Sequence, residues 1–249
     1  MKIGALIIGD ELLSGKRQDR HFNHLQSVLA QRGLELSWTI IVGDDPEQLQ
    51  RFLAFSMASK DLVFSFGGIG ATPDDRTRET VAKVAEVSLA AHPEAVAEIE
   101  AQFGEQAYPN RILMADLPER CRIIPNTINR VPGFSLDDHH FMPGFPEMSW
   151  PMIEWVLDTY YPDLRNMAPS YEQVIFVING RESELIEAMR VIVAHYPELR
   201  LSSLPRLGDN PHIELSLRGD KALIEPAMAI LKTAIKQAGF TWSNQLDSH

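Results

Sequence analysis

The chain has 249 residues, 45% of them hydrophobic and 23% charged, the balance of a folded globular protein, which excludes a disordered chain. A formal net charge of −11 with no concentrated run of Lys or Arg excludes a nucleic-acid-binding surface. Cys121 is the only cysteine, which rules out an intrachain disulfide and a cysteine-based zinc site and suits a reducing cytoplasm, and no run reaches the roughly 20 apolar residues of a membrane helix.

In chain order, Ile3 to Ile8 is apolar apart from Gly4, as expected of a strand covered on both faces. Acids follow it at once without a small-residue cleavage pattern, so the start reads as a strand and not as a signal sequence. Phe22, Leu25, Val28 and Leu29 then recur at helical spacing, with Gly33 placed to end the helix. "LELSWTIIVGDD" predicts a second strand, and "DDPEQLQRFLAFSMAS" a helix capped by Asp45 with Pro46 in its first turn. "DLVFSF" is a third strand, and the alternation predicts a doubly wound α/β sheet. A helix through Val81, Val84, Ala85 and Leu89 follows, its start placed at Thr72, Asp75 or Thr77, and another spans "HPEAVAEIEAQFG". "YPNRILMADLPERCRIIPN" has no readable period, whereas "HHFMPGFPEMSWPMIEWVLDTYYPDL" reads as a short strand, a turn and a helix.

"RNMAPS" at 165 to 170 has the character of a linker, which divides the chain into 1–168 and 169–249. The second part reads as strand, helix, strand, strand, helix, a small α/β companion.

Ligands of such sheets gather at the carboxyl ends of the strands. There the chain places Asp10 and Glu11, then Asp44 and Asp45, then "GGIGATPDD" with Gly67, Gly68, Gly70, Thr72, Asp74 and Asp75. Glycines before a helix start suit an anion, although a tight connection with helix-favouring aspartates explains the loop as readily when it is read alone. Three carboxylate groups on one rim repel one another unless a metal or a proton-transfer role offsets the cost. On this reading the amides hold a phosphate while the carboxylates hold magnesium or act on the bond beside it.

"GDELLSG" (with Gly9, Asp10 and Glu11), "GDD", "GGIGATPDDRT" and "MPGFPEM" (with Pro143, Gly144 and Glu147) together resemble the molybdopterin-binding domain. That domain is shared by molybdenum-cofactor biosynthesis proteins and the competence/damage-inducible protein CinA. The resemblance covers about residues 1 to 160, and "LSSLPRL" ahead of "HIELSLRG" resembles the small domain that follows in CinA-like proteins and eukaryotic FAD synthases. It implies a three-layer α/β/α domain with a small C-terminal α/β domain, often in a homo-oligomer, with no room for the nicotinamide-nucleotide deamidase module of full CinA proteins.

The resemblance further implies a pterin or nucleotide phosphate on Gly67, Gly68, Gly70 and Thr72, the acidic turn of Asp10 and Glu11 at the mouth, and Asp44 and Asp75 as catalytic or metal-holding carboxylates. Molybdopterin is then the implied ligand, with magnesium, manganese or cobalt as the metal. Two other readings stay open: a metal-dependent ADP-ribose or FAD pyrophosphatase, and a binding module without chemistry. Two positions depart from the usual pattern, Ala71 in place of proline and His21 in the place of an asparagine after Asp19-Arg20.

Weaker candidates read as structural. "DDHH" at 137 to 140 is expected to be a solvated turn, His21 and His24 a surface pair, and Met148, Trp150 and Trp155 packing or a subunit contact. Glu147 is placed either at the cleft or as a helix cap, and Cys121 as a buried small hydrophobe.

Overall fold

The structure is a computed structural model that describes residues 2–165, 171–208 and 210–246. The chain forms two compact units, 1–168 and 169–249. The linker expected at 165 to 170 lies, apart from Arg165, outside the described residues.

The first unit begins with β1 (Ile3–Ile8), α1 (Asp10–Leu13), α2 (His21–Gln31), β2 (Trp38–Val42), α3 (Pro46–Ser59), β3 (Leu62–Phe66) and α4 (Thr77–Val84). It continues with β4 (Leu89–Ala91), α5 (Pro93–Phe103), β5 (Asp116–Pro118), β6 (Arg122–Ile124), β7 (Gly133–Leu136), β8 (His139–Met142) and α6 (Pro146–Tyr160). The main sheet runs β2-β1-β3-β8-β7-β6. Its first four strands are mutually parallel, and β7 and β6 add antiparallel. β4 and β5 pair separately.

Strand alternation sorts the core into two layers. Leu6, Ile8, Val42 and Val63 point to one face and pack with Leu49, Leu53, Val81 and Ile99 of α3, α4 and α5. Ile3, Ala5, Ile7, Leu62, Phe64 and Phe66 point to the other and pack with Leu25 and Leu29 of α2 and Ile153 and Val156 of α6. This is the expected three-layer arrangement. Full burial of each such Leu, Ile or Phe contributes roughly 1.5–3 kcal/mol, which holds the strand ends as a rigid platform. Local signals agree: the Asp45 side chain accepts from the Gln48 N–H at 2.9 Å with Pro46 in the first turn, and Gly33 at φ 72° follows α2.

The second unit contains β9 (Tyr171–Ile178), α7 (Ile186–His195), β10 (Arg200–Arg206), β11 (His212–Gly219), α8 (Lys221–Gln237) and β12 (Thr241–Ser243). Its antiparallel sheet is ordered β10-β11-β9-β12, and Ile175, Val177, Leu215 and Leu217 pack with Ile192, Ile224, Met228 and Leu231 of the two helices. No helix of the described residues is long and apolar enough to cross a membrane.

Candidate functional site

Because β1, β2, β3 and β8 are parallel, their carboxyl ends lie on one edge, and the segments that follow them meet there. Backbone bonds stitch neighbours together: Gly9 N–H donates to the Val42 carbonyl at 3.0 Å and Gly67 N–H to the Met142 carbonyl at 3.0 Å. The strand-end loops are thereby fixed to the sheet.

The loop after β3 turns at Gly67 (φ 103°) and Gly68 (φ 69°), in the region that favours glycine. A Cβ at Gly67 would overlap the Ile8 carbonyl, and one at Gly68 the Thr77 hydroxyl. α4 starts at Thr77 with no side-chain cap, so of the three expected starts the last is the one formed. Thr77 instead clamps the loop: its hydroxyl donates to the Gly67 carbonyl at 3.0 Å, and its N–H to the Gly68 carbonyl at 2.9 Å. Thr72 belongs to a closed turn. Its N–H (2.9 Å) and hydroxyl (2.5 Å) both donate to Asp75 Oδ2, and the Asp75 N–H returns to the Thr72 carbonyl at 3.0 Å. Between these anchors, the N–H groups of Gly68, Ile69, Gly70 and Ala71 are taken by no protein acceptor among the described residues.

On the facing wall, Asp10 N–H donates to Asp44 Oδ2 at 2.9 Å and Asp44 N–H to Asp10 Oδ1 at 3.1 Å, so each loop caps the other. Asp44 Oδ1 stays outside this pairing. Burial first, and then the Asp10, Glu11 and Asp74 carboxylates, push the Asp44 carboxyl above the usual aspartate range. A raised folded-state value means that the folded protein holds this proton more tightly than the unfolded chain, so the ionisation of Asp44 costs stability as pH rises through that window. Asp44→Asn is therefore expected to raise the melting temperature of the ligand-free protein by a few degrees at neutral pH and to leave it nearly unchanged in acid, since the amide keeps an oxygen for the Asp10 N–H. A melting series across pH with no such divergence would show that the carboxylates do not repel appreciably.

The two walls enclose a cavity of ≈ 430 Å³. Of the residues singled out in the sequence, Gly9, Glu11, Asp44, Gly67, Gly68, Gly70, Thr72, Asp74, Asp75, Pro143 and Gly144 line it. Asp10 does not, since it braces Asp44 from outside. Glu147 lines an adjoining cavity of ≈ 550 Å³ and faces Arg20 at 3.8 Å. Arg17, Glu11 and Phe145 border both cavities. Arg17, an exposed cation on this lining, stands in the polar "GKRQDR" after the first acidic turn, where no motif marks it. Asn129 and Met148 also line the main cavity, so Met148 is not merely packing. Asn129 gave no sequence signal and is held in place by Asn126 Nδ2 at 2.8 Å. Among the described residues no three His, Cys, Asp or Glu side chains gather as a ligand set for a metal ion.

The family described as "Probable molybdopterin binding domain" matches residues 4–166, which takes in every wall of this cavity. The chain belongs to that family. A CinA-like protein of Citrifermentans bemidjiense is 36% identical over 228 residues, 88% of this chain and 53% of the relative. One of Geobacter sp. strain M21 is 32% identical over 235 residues, 86% and 56% of the two chains. The chain thus spans about half the length of these curated relatives. The crystal structure of the protein CinA, of unknown function, from Thermoplasma acidophilum superposes with a TM-score of 0.59 and 26% identity, covering 66% of this chain and 99% of that one.

Within this molybdopterin-binding domain the histidines differ from the sequence expectation. His21 is 5% exposed, stacks on Phe66 at 4.4 Å, and places Nε2 3.2 Å from the Gly144 carbonyl and Nδ1 3.3 Å from Ser149 Oγ. His24 stacks on Trp150 at 4.0 Å. They are not a surface pair, because α2 packs against α6 and the flat rings fill that seam. In "DDHH" only Asp137 and Asp138 form the exposed turn. His139 and His140 lie in β8, covered because that strand is inserted between β3 and β7. Their bonds are to Ser56 for His139, and to Ser135 and Tyr161 for His140. Burial pushes both down, His139 to about 4 and His140 to about 3, which keeps them neutral.

Proposed function

We propose that the cavity binds a small phosphate-bearing ligand, a pterin or a nucleotide, with an anionic phosphate on the amides of residues 68–71. The observation that supports this most is the run of four N–H groups, on residues that line the cavity, that find no acceptor among the described residues. Arg17 at the mouth supplies the cation of the site, and membership of the molybdopterin-binding family makes a pterin phosphate of the molybdenum-cofactor type the first ligand to test.

The facing carboxylates favour a second, catalytic layer to this reading. Asp44 and Asp75 both line the cavity, each with one carboxylate oxygen outside its bonds to Asp10 and to Thr72, and magnesium commonly uses one or two carboxylates together with ligand phosphates. Magnesium, manganese or cobalt bound there would supply neutralisation of phosphate charge. Asp75 and Thr72 orient the loop, Asp10 fixes Asp44, and the glycine amides hold the anion. A binding module without turnover is the remaining alternative.

Two measurements test the proposal. Calorimetry with a pterin phosphate and with ADP in EDTA reads the phosphate site, and micromolar binding of either is expected; absence of binding of both would remove it. Incubation with ADP-ribose or FAD plus each metal reads the catalytic layer: water adds across the pyrophosphate to give AMP with ribose 5-phosphate or FMN. Binding without AMP under every metal would leave the non-catalytic module.

A further inference from the structure

Arg78 is the second residue of α4 and is 8% exposed. Its guanidinium donates to the Leu113 carbonyl, to the Asp116 carbonyl at 2.9 Å and to the Gly70 carbonyl at 2.6 Å. Its Nε is buried without a partner among the described residues, and it forms no carboxylate salt bridge among them. Burial works against the charge, and the Asp116, Asp75 and Glu79 carboxylates favour it through space without direct contact, so the guanidinium's direct partners are backbone carbonyls.

A trans peptide is planar, with the C=O of one residue and the N–H of the next pointing in opposite directions. Three carbonyls of the glycine loop point at the start of α4: Gly67 and Gly68 to Thr77, and Gly70 to Arg78. The N–H groups of Gly68, Ile69 and Ala71 therefore point the other way. These are three of the four amides, on residues that line the cavity, that find no acceptor among the described residues, an arrangement of successive N–H groups that suits an oxyanion.

We infer that Arg78 is a positioning residue for the anion: it holds the Gly70–Ala71 peptide from behind so that the Ala71 N–H faces the cavity. Arg78 touches no ligand itself. Thr77 performs the same orientation for Gly68 and Ile69. The inference rests on the proposed phosphate site, and it divides that site into two separately held halves.

Inorganic pyrophosphate in EDTA, followed by amide resonances of the isotope-labelled full chain, tests it. In the parent, the Gly68, Ile69 and Ala71 amides are expected to shift on titration. Arg78→Lys keeps the charge but cannot span three carbonyls; it is expected to weaken binding about tenfold and to lose the Ala71 response while Gly68 and Ile69 still shift. Thr77→Val removes the hydroxyl from the Gly67 carbonyl but keeps the backbone N–H on the Gly68 carbonyl, so it should lose the Gly68 response while Ile69 and Ala71 still shift, and the inference does not depend on one variant folding. Arg78→Lys with parental affinity and an intact Ala71 shift would overturn it, and so would loss of all three responses together in both variants. If pyrophosphate shifts Gly68 and Ile69 but not Ala71 in the parent, this inference alone fails; if it perturbs no loop amide, the phosphate site fails and takes the inference with it.

Discussion

Gly68→Val is expected to abolish ligand binding while the two hydrophobic layers stay folded. At φ 69° a β-branched residue is strained, and its Cβ would overlap the Thr77 hydroxyl that orients the Gly67–Gly68 peptide. The loop must shift away from α4, which turns at least two amides off the anion. Hydrogen bonds to a charged group are worth roughly 1.5–3 kcal/mol each, so affinity for a phosphate ligand should fall about a hundredfold or more. Calorimetry reads the affinity, and far-ultraviolet circular dichroism confirms the fold. A variant that keeps its fold and binds within a fewfold of the parent would show that the glycine loop does not hold the ligand.

Asp75 is expected to separate two jobs when it is replaced in two ways. Both Thr72 donors converge on a single oxygen, Asp75 Oδ2. Asn keeps one such oxygen and removes a negative charge next to the phosphate, so Asp75→Asn should bind a phosphate ligand in EDTA at least as well as the parent. Asp75→Ala leaves the Thr72 N–H and hydroxyl without their acceptor and frees the 72–75 turn, and its metal-free binding should drop about tenfold. Any metal-supported release of AMP should be lost in both. If Asp75→Asn weakens metal-free binding as much as Asp75→Ala, the carboxylate acts as a structural cap alone; if it retains turnover, Asp75 takes no part in chemistry.

The parallel strands and their loops were legible because the pattern is local: an apolar run, a glycine, then acids or a helix. Ile3 to Ile8 and Leu62 to Phe66 read as strands for that reason, and parallel pairing alone brings their carboxyl ends together. β4, β5, β6 and β12 have three residues each, too short for an alternation to show, and β7 was hidden in "VPGFSL". The burial of His139 and His140 depends on where β8 inserts, which is a property of the whole sheet. At the site, residue types were readable but bond directions were not. That Thr72 bonds Asp75, that Asp10 braces Asp44, and that Arg78 reaches Gly70 follow from three-dimensional proximity, and no spacing rule encodes them.

The mutual bonds between Asp10 and Asp44 also have a kinetic meaning. Each amide is protected by the other loop's carboxylate, at 2.9 Å and 3.1 Å, so neither exchanges its hydrogen with solvent until the two loops part. The turns after β1 and β2 therefore open as one unit with a shared opening rate. Anything that draws the Asp44 carboxylate toward the cavity loosens the Asp10 amide in the same event, so deuterium uptake at Asp10 gauges occupancy at a carboxylate 34 residues further along the chain.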